Sequence, residues 1–471
     1  MNILMLMTDQ LTVNALSFYG YTGAKTPNLD ALARRSIVFD NCYCNSPLCV
    51  PSRSSMCTGL LPFRNNLFDN GAELPASVPT FIHHLRLNGY RTALSGKMHF
   101  IGPDQLHGFE ERLTPDIFPA SMGWTPDWSR GLIVNPGSNV GKLEKSGSRP
   151  NTTDYMKYDD NAHSKAVRWL REHRISGDSR KFFLCMSYTH PHQPFEITEE
   201  YWNRYSEDEV GLPAVPPDDP EHPFNEWMNT HHGLKERTPG AGHILSSRRA
   251  YYGMISYVDD KIGEWMSELK ELGLSDDTFI IFTSDHGEML GEHGMWFKRT
   301  FYDPSTRVPM LIHRPGTRAR HAKDIVSLID LFPTILDLAK IAVPKDTRLD
   351  GSSFAPALDG KKLGKDRKVL CEYCADGSLA PLRFVRKGKY KFVHVYGQPS
   401  LLFDLEADPL EKKNLHGVRK FAKLADELEK EVLEDWNPEI VHSEVLRSQQ
   451  ERGIINKALQ TGRNFSWDWK C

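Results

Sequence analysis

Four apolar, strand-like runs each end in a polar cluster, and these clusters hold most of the chain's chemistry. NILMLMT runs into Asp9-Gln10 and RTALS into Gly96-Lys97-Met98-His99. KFFLCMSY runs into Thr189-His190-Pro191-His192, and TFIIFTS into Asp285-His286-Gly287-Glu288. A fifth stretch, CVPSRSSMCTG at 49–59, sets a thiol ahead of a proline-started helix with Arg53 in its first turn. Asp9, Gln10, Asp285 and His286 supply mainly oxygen, which suits a hard divalent ion such as calcium or magnesium. Arg53, Lys97 and Lys298, with the helix N-terminus following Pro51, would hold a tetrahedral anion. His99 and His192 suit proton transfer near neutral pH. Cys49, ahead of that helix, reads as a nucleophile at an anion site.

Taken singly, each has an ordinary explanation. An aspartate at a strand end usually caps a helix or makes a turn. Lys298 alone is a solvated charge, and His83-His84 and His231-His232 follow no strand and read as packed or solvated. Cys371 and Cys374 read as strand residues, because no second pair lies at zinc-ligand spacing. Joint placement is what raises the four clusters above these readings. In a parallel α/β sheet, groups at the carboxyl ends of the strands gather along one edge.

The elements that must position them alternate strand and helix through the first part of the chain, the pattern of a mostly parallel sheet with helices on both faces. TPNLDALARRS, SVPTFIHHLRLNGY, AHSKAVRWLREHR and RRAYYGMISYVDDKIGEWMSELKELG read as helices. DIVSLIDLFPTILDLAKI reads as the last helix of the large unit. Residues 201–247, rich in Pro, Gly, His and acids, read as a long surface excursion and a candidate lid. From about 366 the texture changes to short strands, KVLCEY, LRFVRKGKYKFVHVY and LLFDL, then a charged helix and the aromatic tail GRNFSWDWKC, which reads as docked. The expected units are 1–365 and 366–471.

Across 471 residues, 39% are hydrophobic and 25% charged, with a net charge of −3, so nothing electrostatic favours nucleic acid or an anionic membrane. MNILMLMTDQ has no basic start and too short an apolar run for a signal peptide or a span. The eight cysteines lack the spacing of a disulfide-rich module, and a cytoplasmic, reduced protein is expected.

CVPSRSSMCTG resembles the signature of the formylglycine-dependent sulfatases, and differs from it at Cys57, where that family carries Leu or Met. The resemblance continues through SGKMH, THPHQPF, TSDHGEMLGEHG, WFKRTFYDPSTRVP and IDLFPTILDLA. It implies a large mixed, mostly parallel sheet between helices, the alkaline-phosphatase-like fold, with a small antiparallel-sheet subdomain. It also implies that a separate maturation enzyme reading Cys-x-Pro-x-Arg oxidises Cys49 to formylglycine. One divalent ion, Ca2+ before Mg2+ or Mn2+, falls by the same resemblance to Asp9, Gln10, residue 49, Asp285 and His286. Arg53, Lys97 and Lys298 are implied to stabilise the sulfuryl oxygens, His192 or Lys298 to protonate the departing alcohol, and His99 to act as the final base.

Within that family the likeness is nearest to the choline sulfatases, through LFDN, KMHFIGPDQLHGFEERLTPDI, GWTPDW and the WDW tail. It implies Asn70 beside the sulfate, and Trp124 and Glu372 facing a trimethylammonium group. A histidine that group carries after the tryptophan segment is missing from NPGSNVGKLEKSG. A small-molecule sulfate ester is the implied substrate and a dimer or tetramer the implied assembly. An aryl or carbohydrate sulfate, or a phosphonate or phosphate ester of the same superfamily, is the alternative.

Overall fold

The computed structural model of the protein describes residues 1–463 and 466–470. An eight-stranded sheet runs in the order β4-β3-β5-β1-β6-β7-β2-β8. Its strands are β1 (Asn2–Thr8), β2 (Ile37–Tyr43), β3 (Arg91–Gly96), β4 (Glu111–Arg112), β5 (Phe182–Ser187), β6 (Thr278–Ser284), β7 (Met310–His313) and β8 (Arg320–Ser327). All neighbours pair in parallel except β7, which runs antiparallel to both β6 and β2. β1 lies at the centre, between β5 and β6.

The alternation of a strand divides β1 between two cores. Ile3, Met5 and Met7 face one cluster with Phe39, Met56 and Phe81; Leu4 and Leu6 face the other with Tyr251, Trp265 and Leu184. Covered on both faces, such strands read as unbroken apolar runs, which is why NILMLMT, KFFLCMS and TFIIFTS stand out in the sequence. Helices Asp154–Ile175 and Ala241–Glu271 cover the second face.

A second sheet, antiparallel, comprises β9 (Lys368–Tyr373), β10 (Leu382–Lys387), β11 (Tyr390–Val395) and β12 (Leu401–Asp404). Cys371, Phe384 and Val393 of this sheet share one continuous core with Ile3 and Met5 of the large one. Helices Ala422–Leu433 and Pro438–Leu459 close the chain, the second of which the sequence pattern does not signal. In the tail, Trp467 packs against Val50, Ile101 and Met122, and Asp468 accepts from the Ala120 N–H at 2.7 Å. Asn464, Phe465 and Cys471 of that tail lie outside the described residues.

Two expectations need correction. Residues 324–341 are not one helix: Asp324–Ser327 finish β8, and the helix spans only Leu331–Ala339. Pairing with β2 decides the matter, since a strand there buries Val326 and completes the sheet. Residues 201–247 are no detached excursion either. Helix Pro223–His231 buries Phe224 and Met228 in the main core, so this segment is anchored rather than poised to move.

Candidate active site

β1, β3, β5 and β6 lie side by side and parallel, so their carboxyl ends deliver Asp9, Lys97, His192 and Asp285 to one place. Gly96 lets β3 turn there: its φ is +92°, and a Cβ would lie 2.0 Å from the Ser187 carbonyl oxygen. Gln10 and His99 also hold left-handed backbone, at φ 65° and 61°. For non-glycine residues such strain persists only where surrounding structure over-determines it, and it gathers at working sites.

Cys49 is the first residue of helix Cys49–Thr58, and all ten helix residues are buried. The helix ends where Gly59 adopts φ 69° and donates to the Ser55 carbonyl at 2.8 Å; any Cβ there would meet Leu349 and Phe332. With no solvent face the helix has no amphipathic pattern, so only its cap residues betray it in the sequence.

The Cys49 Sγ marks where a side-chain oxygen of the oxidised residue would sit. Around it lie His286 Nε2 at 3.3 Å, Lys97 Nζ at 3.5 Å and Lys298 Nζ at 3.5 Å. Burial pushes the thiol pKa up, but the Lys298 and Lys97 ammonium groups oppose it, and the group is held well below its usual range. The site is therefore built for negative charge on residue 49.

Arg53 is wholly buried and braces the floor. Its Nε donates to Asp285 Oδ2 at 2.8 Å, Nη2 to Asp9 Oδ2 at 3.0 Å, and Nη1 to the Lys97 carbonyl at 2.8 Å and Ser187 Oγ at 2.9 Å. One guanidinium thus ties together the ends of four strands. Lys97 Nζ pairs with Asp9 as well, and its ammonium lies 4.3 Å from the centre of the Phe118 ring. Burial and the Cys49 thiolate oppose ionisation of Asp9, yet Lys97, His192 and Arg53 hold its pKa below the ordinary range.

Asp9, Cys49, Asp285 and His286 offer ligand atoms that all lie within 4.8 Å of one another. Asp9 Oδ1 is buried without a hydrogen-bond partner. His286 Nδ1 lies 3.1 Å from the Gly287 carbonyl oxygen, which places the ring proton on Nδ1 and leaves Nε2 a bare lone pair toward Sγ. An orphaned carboxylate oxygen, a bare imidazole nitrogen and a second carboxylate fit a divalent cation. Gln10 differs from these four: its Oε1 accepts from Lys298 at 2.6 Å, while its NH2 donates to Gln193 Oε1 and to the buried Glu288.

The remaining sequence-predicted residues separate into two groups. His192 Nδ1 lies 2.6 Å from the Gln193 carbonyl oxygen, and burial, aided by Lys298, lowers its pKa to about 4. His99 has no hydrogen-bond partner on either ring nitrogen and packs between Phe118 at 5.0 Å and Trp124 at 5.1 Å. Asn70 Oδ1 accepts from the Val50 N–H at 3.0 Å, leaving its NH2 as the donor it can offer. Trp124 is 44% exposed and forms part of the aromatic wall with Phe118, which also neighbours His192 at 5.7 Å. Glu372 is not brought to this wall. It is 1% exposed, accepts from the Phe63 N–H at 3.0 Å and pairs with Arg383 at 3.2 Å. It stands directly opposite Arg383 of β10 in the antiparallel register, so the two side chains share one face of the small sheet.

Sequence reasoning missed Arg299 and Asp376. Arg299 follows Lys298, donates to Asp376 at 2.9 Å, and Asp376 also takes His231 at 3.0 Å and Asn135 at 3.0 Å. Only the His231-His232 doublet hinted at this. His293 pairs with Asp218 at 2.7 Å and the Leu410 carbonyl oxygen at 3.0 Å.

The Sulfatase family model matches residues 1–341, well over half of the chain. This protein belongs to the sulfatase family. A second model, N-sulphoglucosamine sulphohydrolase, C-terminal, matches residues 291–437 of this sulfatase. The chain is 40% identical to the choline-sulfatase of Rhizobium meliloti (strain 1021), over 99% of this chain and 93% of that protein. It is 28% identical to arylsulfatase K of Bos taurus, over 99% of this chain and 87% of that one. Among solved structures it resembles the phosphonate monoester hydrolase of Agrobacterium radiobacter, with a TM-score of 0.74, 25% identity and 95% coverage of each chain. The sulfatase is a sulfuric ester hydrolase, with the alkaline-phosphatase-like fold that its sequence implies. A formylglycine and a divalent metal are general features of its family.

Proposed function

We propose that this sulfatase hydrolyses choline-O-sulfate or a similar small organic sulfate ester, with formylglycine at position 49 and Ca2+ held by Asp9, Asp285, His286, Gln10 and residue 49. The 40% identity to a choline-sulfatase across nearly the whole chain carries the reading. The cation would supply positive charge against a sulfuryl oxygen and acidify a hydroxyl beside it. The hydrated aldehyde would supply one hydroxyl to attack sulfur and a second whose deprotonation releases sulfate.

The chain's own groups then have distinct tasks. Lys97 and Lys298, each 3.5 Å from the residue 49 side chain, face the sulfuryl oxygens and stabilise charge as the S–O bond to the alcohol breaks. Arg53 acts through the two carboxylates it fixes. Burial lowers the Lys298 pKa, which makes its ammonium a better proton donor to the leaving oxygen than a solvated lysine. An anionic ester beside His192 favours the imidazolium, so substrate arrival arms it for the same task. His99, with both ring nitrogens unpartnered, is the base for the second hydroxyl. The Asn70 NH2 would meet the sulfate, and the open face of Trp124 would meet a quaternary ammonium.

The test is a panel on aldehyde-bearing protein: choline-O-sulfate, an aryl sulfate, a carbohydrate sulfate and a phosphonate monoester. We expect choline-O-sulfate to give the highest kcat/KM; parity with the aryl sulfate removes the cation pocket. The likeness to a phosphonate monoester hydrolase supports the second reading, and faster phosphonate turnover would establish it.

Three further assignments accompany this reading. The catalytic unit spans 1–365 and the subdomain 366–471. Among described residues no helix is long and apolar enough to cross a membrane, and seven cysteines are buried free thiols, which suits a reducing cytoplasm. A dimer or tetramer would cover Ile440, Ile454 and Ile455, exposed along the last helix.

A further inference from the structure

The last helix, Pro438–Leu459, buries Val441, Val445, Gln449 and Arg452. Spaced at three and four residues, they form one face, apolar in its first half and polar in its second. Val441 and Val445 dock on the cluster containing Val385, Phe392 and Trp436 of the small sheet and its neighbouring helix. Gln449 and Arg452 do something else, because a buried amide and guanidinium are costly unless partnered.

Arg452 Nε donates to Ser448 Oγ on the helix itself at 3.2 Å, and the other partners lie in the segments that carry Asn70 and Trp124. Gln449 Oε1 accepts from the Trp128 N–H at 2.9 Å. Arg452 grips the fully buried Asp69 with two parallel bonds, Nη1 to Oδ1 at 2.5 Å and Nη2 to Oδ2 at 2.7 Å. The same Nη1 donates to Thr125 Oγ1 at 3.0 Å. Asp69 precedes Asn70, whose oxygen holds the Val50 N–H beside Cys49, and Thr125 follows Trp124. The two segments also touch directly: a Cβ on Gly71 would lie 2.4 Å from Thr125 Oγ1.

We infer that Arg452 is a positioning residue for substrate specificity, a fork that locks the Trp124 wall and the Asn70 turn in register on either side of the reacting sulfate. This rests on the reading of Trp124 and Asn70 as substrate contacts. A planar fork matches a carboxylate in both distance and direction, so lysine cannot replace it fully. Nothing in the chemistry of sulfur transfer touches Arg452. Its loss should therefore weaken binding of the alcohol part more than turnover.

The experiment compares matured full-length wild type with Arg452→Met, Arg452→Lys and Thr125→Val. Arg452→Met is expected to raise KM for the preferred sulfate ester about tenfold, the scale of a misplaced aromatic contact to a cation, with a smaller fall in kcat because the Asn70 turn loosens as well. Arg452→Lys should recover part of that loss, and Thr125→Val should show a smaller rise. Amide hydrogen exchange should quicken in Arg452→Met over residues 122–130 and 69–72, while β1 and β6 stay protected. A lower Tm with unchanged KM and unchanged exchange in those segments would reduce Arg452 to ordinary packing and overturn the inference. If wild type turns over no sulfate ester, the functional reading falls, and the exchange pattern alone decides for or against the fork.

Discussion

Lys298 donates to Gln10 Oε1 at 2.6 Å, so an ammonium occupies the amide oxygen that the sequence assigns to a metal. The amide cannot turn over. Glu288, fully buried, accepts the Leu290 N–H at 2.9 Å and the Phe297 N–H at 2.7 Å on Oε1, leaving Oε2 for the Gln10 NH2. A carboxylate only accepts, so it fixes the nitrogen inward and the oxygen toward the cation site. Glu288→Gln offers an NH2 of its own and frees that choice. Its affinity for Ca2+, measured by calorimetry on metal-free protein, is expected to fall about 10–100-fold. Wild-type affinity in the variant would show that Gln10 is not held for the metal.

The paired lysines predict a large kinetic effect. Lys97→Met and Lys298→Met each remove a cation 3.5 Å from residue 49, and each is expected to cost about 10²–10³ in kcat. For Lys298→Met the loss should be smaller on an aryl sulfate, whose leaving group needs no proton, than on an alkyl sulfate. An equal loss on both esters would remove Lys298 as the proton donor.

Much of this site was legible because buried parallel strands advertise themselves. Asp9, Lys97, His192 and Asp285 follow apolar runs, and one topological rule gathers them. β2 and β8 were not legible, since IVFDNCY carries acid and amide within it and RHAKDIVS is charged; their strand character comes from pairing with each other. Arg53 reads as a sulfate ligand from its cationic type alone, yet two buried carboxylates claim it, a relationship that only the fold reveals. Glu372 shows the same limit. A strand residue's direction depends on the register of the sheet, and register is invisible in an isolated segment.

Glu372 also makes a pH prediction. Burial, against the pull of Arg383, raises its pKa from 4.5 to about 7. A raised pKa means that the folded state binds the proton more tightly, so its contribution is present below about pH 4.5 and is lost as pH rises through 7. The difference amounts to at most about 3 kcal/mol. Glu372→Gln, which stays neutral, should lack this loss. The Tm of wild type relative to the variant is expected to drop between about pH 5 and pH 8. A constant offset across that range would show Glu372 ionised throughout against Arg383.

Burial of the Cys49 helix sets when the proposed oxidation of residue 49 could occur. Every residue from Cys49 to Thr58 is buried, and Arg53 makes four hydrogen bonds to groups at the strand ends. An enzyme that reads Cys49, Pro51 and Arg53 in extended form must first pull this helix out of the core. Such an opening costs nearly the whole folding free energy, at least about 5 kcal/mol, which leaves on the order of one molecule in a few thousand exposed. Folded protein incubated with a formylglycine-generating enzyme should therefore keep its thiol, while a peptide spanning 45–62 or the nascent chain should be converted. Peptide mass spectrometry at residue 49 reads both. Rapid conversion of the folded protein would mean that the helix opens locally, and that the Arg53 brace is far weaker than four hydrogen bonds, two of them ion pairs, imply.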